Sequence, residues 1–159
     1  MKLLGIDPGL TGAMAIIDGD TLVKVHDMPV QGGEIEGRQL YEMLFLLQSM
    51  DPVERCYIEQ LQPMPKNGSQ SNYTNGLSFG ICVTVLKIVG LSFERVRPSV
   101  WKSQSGLTGK DKHASLALAR ELWPEQLDNL HLVKHHNRAE AALIARWGYY
   151  RRIREGLQK

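Results

Sequence analysis

Three apolar segments crowd into the first 28 residues with almost nothing between them: KLLGID, GAMAIID and TLVKVHDM. KLLGID (residues 2 to 7) is a short apolar run ended by Asp7-Pro8-Gly9, the pattern of a buried strand entering a turn. The second and third segments are separated by Gly19-Asp20, a polar two-residue turn that fits a hairpin. Three antiparallel strands in succession therefore open the chain, and whatever follows has to be laid against a sheet.

The remaining pattern supplies helices and two further strands. After the Gly-rich QGGEIEG, residues 38 to 50 place Leu40, Met43, Leu44 and Leu47 at helical spacing, and Asp51-Pro52 stops that helix. RCYIE (55 to 59) reads as a fourth strand ending on Glu59. Residues 60 to 75, rich in Gln, Pro, Asn, Ser and Gly, read as a long loop. An apolar helix from about Ser71 or Leu77 to Ile88 leads to LSFERVRP, a fifth strand closed by Pro98. SVWKSQSGLTGK is loop or a short helical turn, KDKHASLALAREL an amphipathic helix stopped before Pro124, and the last helix runs from Asn137 to about Arg154. The expected fold is α/β: a five-stranded mixed sheet, its first three strands antiparallel, flanked by helices in one domain of 159 residues.

Several classes of protein are disfavoured. Cys56 and Cys82 sit 26 residues apart in apolar surroundings, without CxxC spacing or a histidine placed to complete a zinc site, so they read as buried, reduced thiols. An aspartate at position 7 leaves no room for a signal-peptide apolar region, and the expected location is the cytoplasm, with an organellar matrix as the alternative. The apolar stretch GLSFGICVTVLKIVGLSF is interrupted by Lys87, Gly90 and hydroxyls, so a buried helix running into a strand is expected there, not a membrane span. The net charge of +2 hides a division: residues 1 to 59 hold 4 basic and 10 acidic residues, whereas 86 to 120 and 134 to 159 each hold 7 basic against 2 acidic. An acidic half able to collect divalent cations and a basic half able to meet phosphates suit a nucleic-acid enzyme, although charges that merely solvate helix faces would look similar.

The acidic residues to weigh are those at strand ends, because a carboxylate there escapes the sheet and can face its neighbours. Asp7 ends the first strand and Glu59 the fourth. If the strands are adjacent, both carboxylates lie at one edge, and Glu140 in the first turn of the last helix could complete a cluster. Such a cluster is unfavourable without a cation, since like charges raise each other's pKa. Mg²⁺ or Mn²⁺ removes the conflict through oxygen ligands. Two such ions roughly 3.5 to 4 Å apart would permit phosphodiester hydrolysis. The plainer alternatives are a turn residue before Pro8-Gly9 for Asp7, a surface charge for Glu59, and a capping box for the Asn137 and Glu140 pair. His135 and His136 could assist a water or ligate a metal, or simply be solvated; their spacing does not separate the two rings.

These residues resemble a family. GIDPGLTG at the start, YIEQ at 57 to 60, Lys66-Asn67 with Gly80 following, P-S-V-W-K at 98 to 102, the G-x-x-G-K-D-K run from Gly106 to Lys112, and H-N-R-A-E-A-A-L-I-A are similar, in this order and at these intervals, to the RuvC-type Holliday junction resolvases. The resemblance implies an RNase H-like fold, a homodimer with two active sites, and nicking of paired strands at a four-way DNA junction with two Mg²⁺ ions per site, Mn²⁺ substituting. It implies no membrane and no nucleotide cofactor. Asp7 matches the family's first catalytic aspartate, Glu59 its strand-four glutamate, and Glu140 its final carboxylate, usually Asp. Lys112 matches a lysine near the scissile phosphate.

Two departures stand out. The family places Asp or His three residues before the final carboxylate, where this chain has Asn137; a neutral amide is the poorer ligand, so His136, one residue earlier, is the expected substitute. The bacterial enzymes carry a junction-stacking aromatic after the strand-four glutamate, whereas LQPMP offers Leu61 and Met64, with Tyr73 the nearest aromatic. The resulting expected DNA contacts are Met64, Lys66, Asn67, Tyr73, Lys102, Lys110 and Lys112. Trp101 is expected to pack under the basic loop, with base stacking as the alternative. Two competing readings remain: a junction-binding protein with weakened catalysis, suggested by Asn137, and an actin-like or sugar-kinase-type ATP-binding domain, whose opening strand also reads G-I-D-x-G-x-T but which needs a second lobe.

Overall fold

The computed structural model describes residues 1–63 and 68–157. In chain order the elements are β1 (Lys2–Asp7), β2 (Ala13–Asp18), β3 (Thr21–Asp27), the two-residue strands β4 (Val30–Gln31) and β5 (Glu34–Ile35), α1 (Gly37–Met50), β6 (Arg55–Glu59), α2 (Ser69–Val89), β7 (Phe93–Val96), α3 (Pro98–Gln104), α4 (Lys112–Leu122), α5 (Leu127–Leu130) and α6 (His136–Leu157). Five strands form one sheet in the order β3-β2-β1-β6-β7. β1 pairs antiparallel with β2, and β2 with β3, while β6 runs parallel to both β1 and β7. The expected mixed sheet with three antiparallel opening strands is therefore present.

Side-chain alternation along the central strands divides the core between two faces. Leu4 and Ile6 of β1, with Cys56 and Ile58 of β6, join Leu40, Leu44, Cys82 and Leu86 of α1 and α2. Leu3 and Tyr57 face the other way, into the layer built by Trp101, Leu116 and the α6 run Ala141 to Ala145. Continuing the alternation, Asp7 and Glu59 fall on the α6 face. Because Ile6 pairs with Ile58, these two carboxylates end adjacent parallel strands at the same level.

The small side chains of α6 let it lie close on the sheet. Ala139, Ala141, Ala142 and Ala145 are fully buried, and Gly5 of β1 sits directly beneath. A Cβ at Gly5 would come 2.0 Å from the Ala141 carbonyl oxygen and 2.7 Å from the Ala145 nitrogen, so only glycine permits this approach. The near-continuous apolar run that a helix buried on most sides requires is visible in ALIARW.

Local chemistry sets the element ends. Gly90, in the left-handed region at φ 76°, terminates α2, so the long apolar stretch is a helix and a strand; among the described residues no helix is long and apolar enough to cross a membrane. The Asp111 carboxylate accepts from the backbone N–H groups of His113 (2.9 Å) and Ala114 (3.2 Å) and starts α4. Besides the short α5, which no sequence pattern announced, two stretches differ from expectation. The Gly-rich stretch is a small hairpin, with Val30 opposite Ile35 and Gln31 opposite Glu34, turned by Gly32-Gly33. Helix α2 starts at Ser69, ahead of either expected start, because its first two turns are mostly exposed and carry no apolar stripe for a periodicity search to find.

Candidate functional site

Asp7, Glu59 and Glu140 converge where β1 and β6 end beneath the first turn of α6, and each is at most 9% exposed. Three elements distant in sequence thus deliver three carboxylates to one buried region. Burial first, then the charges of Glu59 and Glu140, hold the Asp7 carboxyl well above the usual range; Lys102 and the Gly9 backbone N–H pull the other way. Glu59 is likewise pushed up by burial, and further by Glu140, against a hydrogen bond from Trp101 and the charge of Lys102. Burial together with like charge is what raises a carboxyl pKa in a desolvated site.

Each carboxylate has a definite partner. The Trp101 indole N–H donates to Glu59 Oε2 at 2.6 Å, a contact across 42 residues made by a fully buried ring. The Ser115 hydroxyl donates to Glu140 Oε1 at 3.0 Å, and the Lys102 ammonium stands 3.0 Å from that same oxygen while lying over the Trp101 ring at 5.0 Å. The turn after Asp7 folds back tightly: the Gly12 N–H donates to Gly9 O at 2.9 Å, and a Cβ at Gly12 would strike the Asp7 carbonyl at 2.0 Å.

The start of α6 corrects the capping reading. The helix is preceded by a 3₁₀ turn, Val133–His135, and begins at His136, so Asn137 lies inside it and is not its cap. The Asn137 amide instead donates to the carbonyl (2.6 Å) and hydroxyl (2.8 Å) oxygens of Thr11, tying α6 to the turn that follows Asp7. One residue on, Arg138 grips Asp27 through two bonds of 2.5 and 2.6 Å. Glu140 is therefore aimed by a helix end pinned at two points.

The histidines lie elsewhere. His136 turns Nδ1 toward the Val133 carbonyl at 3.2 Å, and no histidine is among the charged neighbours acting on Asp7 or Glu59. His135 is buried edge-on against His131, accepts from the Leu132 N–H at 3.3 Å, and has its pKa lowered by burial and then by Arg138. It belongs to a structural cluster on the Asp27 side. Of the expected fourth groups, only Asn137 is held against the Asp7 turn.

The expected DNA contacts are scattered around this region. Tyr73 is 64% exposed near the start of α2, and Lys110 is exposed just before α4. Lys102 is half-buried and already paired with Glu140. Met64, Lys66 and Asn67 lie outside the described residues, as does the side chain of Lys112, whose backbone opens α4. Trp101, fully buried, cannot stack on a base. Its bond to Glu59, the Ser115 bond to Glu140 and the Thr11 bond to Asn137 were not foreseeable from spacing, because each joins separate segments.

The donor set fits a hard divalent cation in its chemistry: three buried carboxylates face one ammonium, leaving uncompensated negative charge that oxygen-seeking cations satisfy. As the side chains stand, no group of three His, Cys, Asp or Glu among the described residues is drawn together tightly enough to hold an ion. The cation now among them is Lys102.

Comparison with solved structures supports the same architecture. Thermus thermophilus RuvC in complex with a Holliday junction substrate superposes with a TM-score of 0.68 at 16% identity, covering 96% of each chain. The fold is that of RuvC. T. thermophilus RuvC in a second structure gives 0.67 at 17% identity, again covering 96% of both chains. The yeast mitochondrial Holliday junction resolvase Ydc2 gives 0.61 at 15% identity, covering 98% of this chain and 82% of that one. In sequence, the chloroplastic Holliday junction resolvase MOC1 of Chlamydomonas reinhardtii is 40% identical over 92 residues, 57% of this chain. The match covers 10% of that longer protein. No family model matches the chain.

Proposed function

We propose that this chain is a structure-selective endodeoxyribonuclease that cleaves four-way junctions or other branched DNA by metal-dependent phosphodiester hydrolysis, nicking symmetrically as a homodimer. The observation that carries the reading is the convergence of Asp7, Glu59 and Glu140, all buried, at the end of the two central parallel strands of a RuvC fold. Packing alone gives no reason to bury three like charges, which weaken the fold; a site that must attract cations does. The sequence likeness to MOC1 and the fold shared with junction-bound RuvC support branched DNA as the substrate.

Asp7, Glu59 and Glu140 would hold two Mg²⁺ ions, or Mn²⁺ in their place, with Asn137 offering its amide oxygen as a fourth, neutral group. Ions bound there supply an activated water and stabilise the departing 3′ oxygen. The chain's own cations do the rest: Lys110 and Lys112 meet phosphates, Lys102 stays with Glu140, and Lys112 offsets charge developing near the scissile group. Tyr73, exposed near the start of α2, is a group available to enter the junction centre.

The test is a labelled synthetic four-way junction, with flaps, three-way junctions and plain duplex beside it, incubated in Mg²⁺, Mn²⁺ or EDTA. Symmetric nicks in metal and none in EDTA are expected. A stable gel shift with no nicks in either metal would instead identify a junction-binding protein. Light scattering of the purified protein checks the dimer.

A further inference from the structure

Glu59 and Glu140 are steadied by different means. Glu140 accepts from a neutral hydroxyl and is also paired with an ammonium, whereas Glu59 accepts from the indole N–H of Trp101. An indole N–H is a donor only and carries no charge. It can fix the direction of a carboxylate without cancelling the negative charge that a cation would seek. An arginine or lysine in its place would orient Glu59 equally well and compete with the metal. A buried Trp usually finds a partner for its N–H, so the bond alone could be housekeeping for the ring. Its placement argues for more: the acceptor is a carboxylate of the site, the contact is 2.6 Å and buried, and the donor belongs to a seven-residue helix whose next residue, Lys102, holds Glu140.

We propose that Trp101 is a positioning residue for Glu59: its neutral N–H occupies Oε2, fixes the direction of the carboxylate, and leaves its charge intact for a divalent cation that the site would hold. The inference rests on the nuclease reading of the site. With Lys102 anchoring Glu140 from the same helix, α3 sets the relative orientation of two carboxylates that come from β6 and α6.

Trp101→Phe keeps most of the ring volume and removes the donor. Three readouts separate positioning from packing: thermal unfolding, Mn²⁺ binding followed by electron paramagnetic resonance, and single-turnover cleavage of a four-way junction. The variant is expected to fold and to bind the junction in EDTA about as well as wild type. Loss of a hydrogen bond to a charged group predicts Mn²⁺ affinity and cleavage rate each down by about 10- to 100-fold. Cleavage should recover in part at high Mn²⁺, which a packing defect would not show. Unchanged Mn²⁺ affinity in Trp101→Phe, whatever happens to the rate or the melting temperature, overturns the assignment. Should the Phe variant fail to fold, Trp101→His, whose ring retains an N–H, is measured in its place: Mn²⁺ affinity within about threefold of wild type supports the role, on the scale of a retained hydrogen bond, and a larger loss in a folded protein overturns it. A wild-type protein that neither binds Mn²⁺ nor cleaves would remove the nuclease reading itself, and this inference with it.

Discussion

Substituting Gly5 by alanine probes the contact on which the site is built. An added Cβ would lie 2.0 Å from the Ala141 carbonyl oxygen, and a real Cβ contact needs at least 3.0 Å, so α6 must retreat from β1 by about 1.0 Å at that point. Ala141 is the residue after Glu140, so the retreat carries the third carboxylate away from Asp7 and Glu59. A displacement of about 1 Å at a reacting centre can cost about 100-fold in rate. Overpacking of a filled core costs about 1–3 kcal/mol, which for a chain of this size lowers the melting temperature by about 2–12 °C. Circular dichroism melting and single-turnover nicking of a four-way junction measure the two effects, with junction binding in EDTA largely retained because the basic surface is untouched. A Gly5→Ala protein with wild-type melting and wild-type nicking would refute the close seating of α6 on β1 and, with it, the way Glu140 is delivered.

Four more outcomes follow from the same geometry. Asp7→Asn and Glu59→Gln are each expected to abolish cleavage while junction binding is kept or tightened, since removing negative charge near DNA phosphates loses no attraction; strong residual nicking would refute the roles. In EDTA, the folded chain keeps a proton on Asp7 that the unfolded chain has released, because the folded pKa is raised by burial and by Glu59 and Glu140. Stability from that proton is full below the unfolded pKa of 3.8 and is lost as pH rises through the folded value, so wild-type melting should fall over that window and Asp7→Asn should flatten the fall. Asn137→Ala removes two hydrogen bonds to Thr11 and is expected to cost about 1–3 kcal/mol, together with most cleavage, while His136→Ala changes both little; the reverse pattern in a nicking assay would restore His136 as the fourth group. Lys112→Ala should slow cleavage more than it weakens binding, and equal losses would make it a plain phosphate contact.

Particular residues show how far the sequence could be followed. Asp7 and Glu59 were legible as a pair because strand alternation and strand ends are local properties: once KLLGID and RCYIE are strands, their last residues are fixed in direction relative to those before them. Glu140 was legible through its place in the H-N-R-A-E run. The capping box weighed for Asn137 and Glu140 does not form, because the preceding Val133–His135 turn moves the helix start to His136 and leaves Asn137 as the second helical residue, a shift that the i, i+3 spacing does not reveal. The histidine expectation failed to find contact for a related reason: a helix turns by about 100° per residue, so His136 and Asn137 face quite different surroundings.

By itself, the sequence determined the main element types, the antiparallel opening of the sheet, and the acidic residues that end its first and fourth long strands, all of which follow from periodicity and turn chemistry within a few residues. Tertiary structure alone decided what holds the site's side chains: Trp101 on Glu59, Ser115 and Lys102 on Glu140, Thr11 on Asn137. Those partners come from other elements, 25 to 126 residues away, or across the α3 to α6 contact for Lys102. A hydrogen bond depends on distance and direction in space, and neither is set until the helices are packed on the sheet.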